Sequence, residues 1–93
     1  MECKSIEEVR NNIDIIDEKI IKLIGERTLY VKQAAKFKKN ATEVKSEDRV
    51  EKVIDRLKKI SIEYGAEPEL TENLYRMMIS FFVNMEMKMN HFK

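Results

Sequence analysis

The feature that most constrains this chain is a run of apolar residues spaced by threes and fours along its N-terminal third. That spacing returns side chains to one face of an α-helix, and no proline interrupts it. With Ser5 and Glu8 as a capping box at its start, the run predicts one helix of roughly 33 residues that reaches Lys38, on the order of 50 Å long. The spaced positions are Ile6, Val9, Ile13, Ile16, Ile20, Leu23, Arg27, Tyr30, Ala34 and Phe37.

A helix of that length is too long for the globule that the chain can form alone. A chain of 93 residues has room for one hydrophobic core, so we predict a single helical domain over residues 1–93. Its radius of gyration should be only about 12 Å, and a monomer of this size buries only about 60–65% of its unfolded surface. The long helix therefore needs a surface along its whole length, and a second copy of the chain is the simplest candidate.

Two shorter helices are predicted after the long one, which makes the fold class all-α. The stretch 39–46 lacks apolar rhythm and is predicted to be a loop. Ser46 offers a capping hydroxyl for the second helix, Gly65 is expected to end it, and Pro68 suits the first turn of the third. The predicted buried positions of the second helix are Val50, Val53, Ile54, Leu57, Ile60 and Tyr64.

Charge and composition exclude several classes of function. The formal net charge is +1, from 18 basic and 17 acidic side chains, so no global field favours nucleic acid or a membrane. Cys3 and His91 are the only residues of their types, which leaves little basis for a disulfide framework, a cysteine metal site or histidine catalysis. A signal peptide and an apolar run near 20 residues are both missing, so the cytoplasm is expected.

Several charged residues occupy positions where the pattern expects apolar ones. Arg27 lies on the apolar stripe of the first helix and needs a carboxylate partner, unless it extends to solvent. Lys38 returns to nearly the same face, where the pair could hold a small anion, or Lys38 could simply be solvated near the helix end. Arg10 lies about 100° away around the axis and alone resembles a surface residue, although it could enter a partner's site. Arg49 stands in a first helical turn, where a cation is unfavourable unless an anion is near.

Glu86 is the one acid on an otherwise apolar stripe of the third helix. Burial would favour its protonated form, which can donate a hydrogen bond. A coiled-coil glutamate, paired with a lysine near the fraying end of the helix, is an equal alternative. The stripe consists of Tyr75, Ile79, Phe82, Glu86 and Met89.

Taken together, these residues resemble the AroQ-type chorismate mutases from Ile6 to about Lys88. The resemblance rests on a dispersed set of residues along the first helix and at the start of the second. The set comprises Val9-Arg10, Ile13, Ile16-Asp17-Glu18-Lys19, Leu23-Ile24, Glu26-Arg27, Tyr30-Val31-Lys32, Ala34-Ala35, Phe37-Lys38 and Asp48-Arg49.

The resemblance implies an intertwined homodimer of three-helix chains with two equivalent sites and no cofactor or metal. Arg27, Lys38 and Arg49 would come from one chain and Arg10 from its partner. The two arginines Arg10 and Arg27 would bind the carboxylates of a dicarboxylate substrate. Lys38 and Glu86 would contact the ether oxygen of chorismate, which rearranges to prephenate without a covalent intermediate.

Other features leave three alternatives open. The stretch 30–38 and the residues Asp48 to Val50 look more like the isochorismate-pyruvate lyase branch, which makes salicylate, whereas Glu86 looks more like the mutases. Phe82 stands where many mutases carry a small polar residue. A third activity, amino-chorismate mutase, belongs to the same class. The alternative from another class is a non-enzymatic helical adaptor or nucleic-acid binder that uses the lysines of stretch 32–39.

Overall fold

The computed structural model describes residues 2–90, which form helices and no strand. The helices are α1 (Ile6–Ala35), α2 (Ala41–Lys45), α3 (Glu47–Glu63) and α4 (Pro68–Asn90). The predicted all-α class is confirmed, with one long and two shorter helices, and α2 is an addition. The chain divides into two compact units, Met1–Gln33 and Ala34–Lys93. Over the described range, every helix is too short or too polar to cross a membrane; His91 lies outside that range.

Helix α1 begins with the predicted capping box. The Glu8 amide donates to Ser5 Oγ at 3.1 Å, which satisfies one of the amides that lack a partner at a helix start. The Glu8 side chain in turn accepts from the Lys4 amide at 3.2 Å, one residue further back than in the usual box. The two residues from which the start of α1 was predicted therefore form its cap.

The C-terminal end of α1 was predicted wrongly, because the helix ends at Ala35 and not at Lys38. Phe37 N donates to Ala34 O at 3.0 Å and Lys38 N donates to Ala35 O at 3.3 Å. In both bonds the amide donates to the carbonyl three residues earlier, as in a 3₁₀-helix, and the chain tightens into a turn beyond the last α-helical residue. Lys38 therefore does not share a helical face with Arg27, contrary to the expectation from periodicity.

The predicted loop at 39–46 contains the short helix α2. Asn40 is in an extended conformation and its side chain accepts from Glu43 N at 2.9 Å. Glu43 Oε2 accepts from Lys39 N, so this helix repeats the capping arrangement of α1. Val44 is its buried residue, with 3% of its surface exposed, and a single apolar side chain gives no periodicity to detect.

Ser46 precedes α3 as predicted, but its side chain makes no capping bond. Its backbone has φ 27° and ψ 66°, because its amide turns back to donate to Thr42 O at 2.9 Å. A positive φ disfavours residues that carry a Cβ. The expected role of Ser46 as a capping hydroxyl is therefore wrong.

We expect Ser46→Gly to stabilise the protein by about 0.5–1 kcal/mol, because glycine removes the steric cost of positive φ and no cap is lost. Chemical denaturation of the two proteins measures the difference. Ser46→Ala is the matched control and should leave the free energy of unfolding nearly unchanged. A loss of about 1 kcal/mol in Ser46→Ala would mean that the hydroxyl does cap α3.

Helix α3 ends at the predicted glycine. Gly65 has φ 76°, Ala66 N donates to Ser61 O at 2.8 Å and Gly65 N donates to Ile62 O at 3.4 Å, which is the Schellman arrangement. Tyr64 was predicted to be buried, but it is 79% exposed. Ser61 is buried instead and its hydroxyl bonds Thr71 of α4 at 2.7 Å, so a polar pair occupies part of this interface.

Helices α3 and α4 pack against each other as an antiparallel pair. Arg76 of α4 links this helix to Glu51, near the start of α3. Its guanidinium donates to both oxygens of Glu51, at 2.9 and 3.0 Å, and to Glu72 at 2.8 Å. Glu72 also pairs with Lys58 at 3.1 Å. The hydrogen bonds from Arg76 lower the pKa of both carboxyl groups below the ordinary value of 4.5. This network orients the first half of α3 against α4.

The most buried apolar side chains belong to the second unit. They come from the end of α1, from α2, from α3 and from α4, so all four helices contribute to this core. Helix α4 presents a second apolar face that is more than half exposed, at Leu70, Leu74, Met77 and Phe81. The core residues are Ala35, Val44, Ile54 and Phe82.

Candidate active site

An ion pair between the partly exposed Lys38 and the buried Glu86 is the centre of the candidate site. Lys38 Nζ donates to Glu86 Oε2 at 2.8 Å. Glu86 is 3% exposed, whereas the Lys38 side chain is 29% exposed. The acid is thus held inside the protein while part of the lysine can be reached from solvent. A charge-assisted bond of this length is among the stronger hydrogen bonds in proteins.

Glu86 is buried because it lies on the apolar stripe of α4, as the sequence predicted. Phe82, one turn earlier on α4, is 8% exposed, and Tyr75 and Ile79 are half-buried. Met89 is more open, at 43%. A lone carboxylate on this face would be costly, and Lys38 supplies the partner. The structure thus pairs Glu86 with a lysine from the turn after α1, which neither prediction for Glu86 had specified.

Arg49 lies in the second unit and in the first turn of α3, where its side chain is exposed. The amides of a helix start carry a partial positive charge, so a cation at this position adds to a positive local potential. The same turn also holds Glu47 and Asp48, whose negative charges offset that of the arginine. The site residues that the structure brings into direct contact are Lys38 and Glu86.

Arg10 and Arg27 both lie on α1 in the first unit. Arg10 is exposed and Arg27 is half-buried, in agreement with the stripe position predicted for Arg27. They are separated by 17 residues, which places their Cα atoms about 25 Å apart along the helix axis. Two side chains so far apart on one helix cannot hold the two carboxylates of one small molecule.

Sequence reasoning identified each of these charged residues, but it missed the contact between Lys38 and Glu86. It also missed Asn90 of α4, whose side chain donates a hydrogen bond to the carbonyl of Ala35 at the end of α1. Both contacts join residues about 50 positions apart, so no local pattern reports them. The only available signal was that Asn90 follows Glu86 by one helical turn.

An all-helical chain with a lysine paired to a buried glutamate, and with several other cationic side chains, is suited to bind a small anion. The sequence matches the family described as chorismate mutase type II over residues 9–87. The chain therefore belongs to the chorismate mutase type II family and is an enzyme of that general type.

Two relatives with different names cover most of the chain. It is 26% identical over 87 residues to the isochorismate pyruvate lyase of Pseudomonas aeruginosa, an alignment that spans 94% of this chain and 86% of that protein. It is 29% identical over 77 residues to the chorismate mutase of Methanocaldococcus jannaschii, which spans 82% of this chain and 78% of that protein. Family membership is thus established, and the relatives carry the names of two reactions.

Proposed function

We propose that the protein is a chorismate mutase that rearranges chorismate to prephenate. The observation that carries the proposal is the contact of Lys38 with the buried Glu86, in a chain of the chorismate mutase type II family. The reaction is pericyclic: one C–O bond breaks while one C–C bond forms within the same molecule. It needs no nucleophile, metal or cofactor, only a fixed conformation and stabilisation of the charge that develops.

Lys38 and Glu86 supply that stabilisation at the ether oxygen of the breaking bond. The ammonium donates to the oxygen as negative charge accumulates there, and Glu86 donates when it is protonated. Arg27 and Arg10 bind the two carboxylates and so select the compact conformer, and Arg49 adds positive potential. An acceleration of about 10⁶ requires about 8 kcal/mol, which two or three donors of roughly 3 kcal/mol each can supply in a pocket without water.

The proposed enzyme is a homodimer in which Arg10 reaches the site of the other chain. The distance between Arg10 and Arg27 along α1 supports this arrangement, since one chain cannot bring both to one substrate. The apolar stripe of α1 supports it as well, because Ile13, Ile16 and Ile20 are about half exposed in the single chain. An exposed stripe of that length is typical of a surface that packs against another helix.

The second candidate is an isochorismate-pyruvate lyase, which uses the same anion site to eliminate pyruvate by intramolecular hydrogen transfer. The relative from Pseudomonas aeruginosa favours it, because that alignment spans more of the chain than the mutase alignment does. Glu86 favours the mutase, since the resemblance implies that the lyase branch carries Gln at this position. The two reactions share their binding requirements and differ in the product.

Side-by-side incubation of the purified protein with chorismate and with isochorismate tests the proposal. Prephenate from chorismate, at a higher kcat/KM than any salicylate from isochorismate, is the expected result. Salicylate as the dominant product would replace the mutase by the lyase. If neither product forms, both candidates are wrong.

We predict that Glu86→Ala lowers kcat by about 10²-fold, because no group at this position then donates to the ether oxygen. Glu86→Gln should recover most of the loss, because its amide donates a hydrogen bond. Steady-state kinetics measure both effects. Glu63→Gln, which changes an exposed glutamate on α3, is the control and should behave as wild type. A kcat equal to wild type in Glu86→Ala would remove Glu86 as a donor.

A further inference from the structure

The turn that carries Lys38 is held by a side chain from the far end of the second unit. The last carbonyl groups of a helix lack partners within the helix, and here Ala35 O accepts from Lys38 N at 3.3 Å. Ala35 is only 1% exposed, so water has little access to its carbonyl. Asn90 Nδ2 donates the second bond to this oxygen at 3.1 Å, which occupies both of its lone pairs.

The bond from Asn90 to Ala35 O takes the place of the usual C-terminal cap of a helix. Many helices end with a glycine in the left-handed conformation that satisfies the last carbonyls, but the residues after α1 are Lys36, Phe37 and Lys38. The turn is closed by 3₁₀-type hydrogen bonds, whose geometry is poorer than that of α-helical ones. Asn90 therefore supplies from α4 a restraint that the local sequence does not provide.

Asn90 and Glu86 act on Lys38 from the same face of α4. They are four residues apart, which is about one helical turn. Glu86 binds the ammonium of Lys38, and Asn90 binds the carbonyl that accepts the Lys38 amide. Lys38 is thus restrained at both its main chain and its charged end.

We propose that Asn90 is a positioning residue for the reaction, which acts through Lys38 and does not touch the substrate. The inference rests on the proposed function, since it concerns the group that stabilises the ether oxygen. Electrostatic stabilisation depends on a donor that is already in place before the reaction begins. A turn closed only by its own bonds leaves Lys38 more freedom and so lowers kcat, while substrate binding by the arginines is kept.

Asn90→Ala is the test variant, and Asn84→Ala, an exposed asparagine on the same helix, is the matched control. We expect Asn90→Ala to lower kcat by about five- to tenfold with KM changed by less than about twofold. Asn90→Gln keeps the amide and should recover part of the loss, and Asn84→Ala should behave as wild type. A kcat equal to wild type in Asn90→Ala would overturn the proposal.

A double-mutant cycle separates positioning from general stabilisation of the fold. In a Lys38→Met background the group that Asn90 positions is gone, so adding Asn90→Ala should cost no further activity. The same fold-loss in both backgrounds would show that Asn90 acts independently of Lys38, and the proposal would fail.

Amide hydrogen exchange tests the same inference without any turnover. Asn90→Ala should speed exchange at Phe37 and Lys38 by about fivefold, whereas the amides in the middle of α3 keep their wild-type rates. Unchanged exchange at Lys38 overturns the inference even if the wild-type protein is an active mutase. A wild-type protein inert toward both substrates, with faster exchange in the variant, would overturn the proposed function and leave the hold of Asn90 on the turn in place.

Discussion

Replacement of Arg27 by alanine is expected to lower kcat/KM for chorismate by about 10²–10³-fold, the loss typical when a preorganised donor is removed. Arg27 is half-buried on the stripe of α1, where a guanidinium can bind a carboxylate through two parallel hydrogen bonds. Loss of that contact removes both charge and orientation. Steady-state kinetics measure the effect, and circular dichroism with size-exclusion chromatography checks that fold and oligomeric state persist.

Two further variants make this result specific. Arg56→Ala removes an exposed arginine from α3 and should leave kcat/KM near the wild-type value. Arg27→Lys keeps the charge without the planar fork and should recover only part of the activity. Wild-type turnover in a folded Arg27→Ala protein would contradict the proposed carboxylate contact.

The elements that the sequence predicted correctly depend on short-range chemistry. Ser5 and Glu8 form the start of α1, Gly65 adopts the positive φ that ends α3, and Pro68 opens α4. Each of these signals involves residues within a few positions of one another. The burial of Glu86 was also predictable, because helical periodicity reports which face of α4 is apolar.

The errors have three different causes, namely a distant contact at the end of α1, the shortness of α2, and a hydrogen bond from Ser46 back to the preceding helix. Periodicity extended α1 to Lys38, but the chain leaves the helix after Ala35, where Asn90 closes the turn from α4. Helix α2 is too short for its period to be visible in the sequence. Ser46 reads as an N-cap from its residue type, yet the preceding helix turns its amide back and fixes its φ at 27°.

The same limit applies to the candidate site. The sequence nominated Lys38 from its spacing to Arg27 and Glu86 from its place on an apolar stripe, and their contact at 2.8 Å required the tertiary fold. Arg10 illustrates the opposite case, since the geometry of a single helix already excludes it from the site of Arg27. A role for Arg10 in the site therefore requires that two copies of the chain form a dimer.

Dimers that carry Arg10→Ala in one chain and Arg27→Ala in the other are expected to regain about half of the wild-type turnover per dimer. Each single variant should be nearly inactive as a homodimer, because both of its sites lack one arginine. In the mixed dimer, one site combines the intact Arg27 of one chain with the intact Arg10 of the other, and the second site lacks both. Coexpression with two affinity tags isolates the mixed dimer for kinetic assay.

A second mixed dimer distinguishes assembly across chains from any general effect of mixing. Arg27→Ala paired with Lys38→Met should stay inactive, since the proposal takes both residues of a site from the same chain and each site then lacks one of them. Restoration in this pair, or none in the Arg10 and Arg27 pair, would contradict the proposed arrangement. A monomeric wild-type protein would contradict it more directly, because about 25 Å of helix separates Arg10 from Arg27 in every copy.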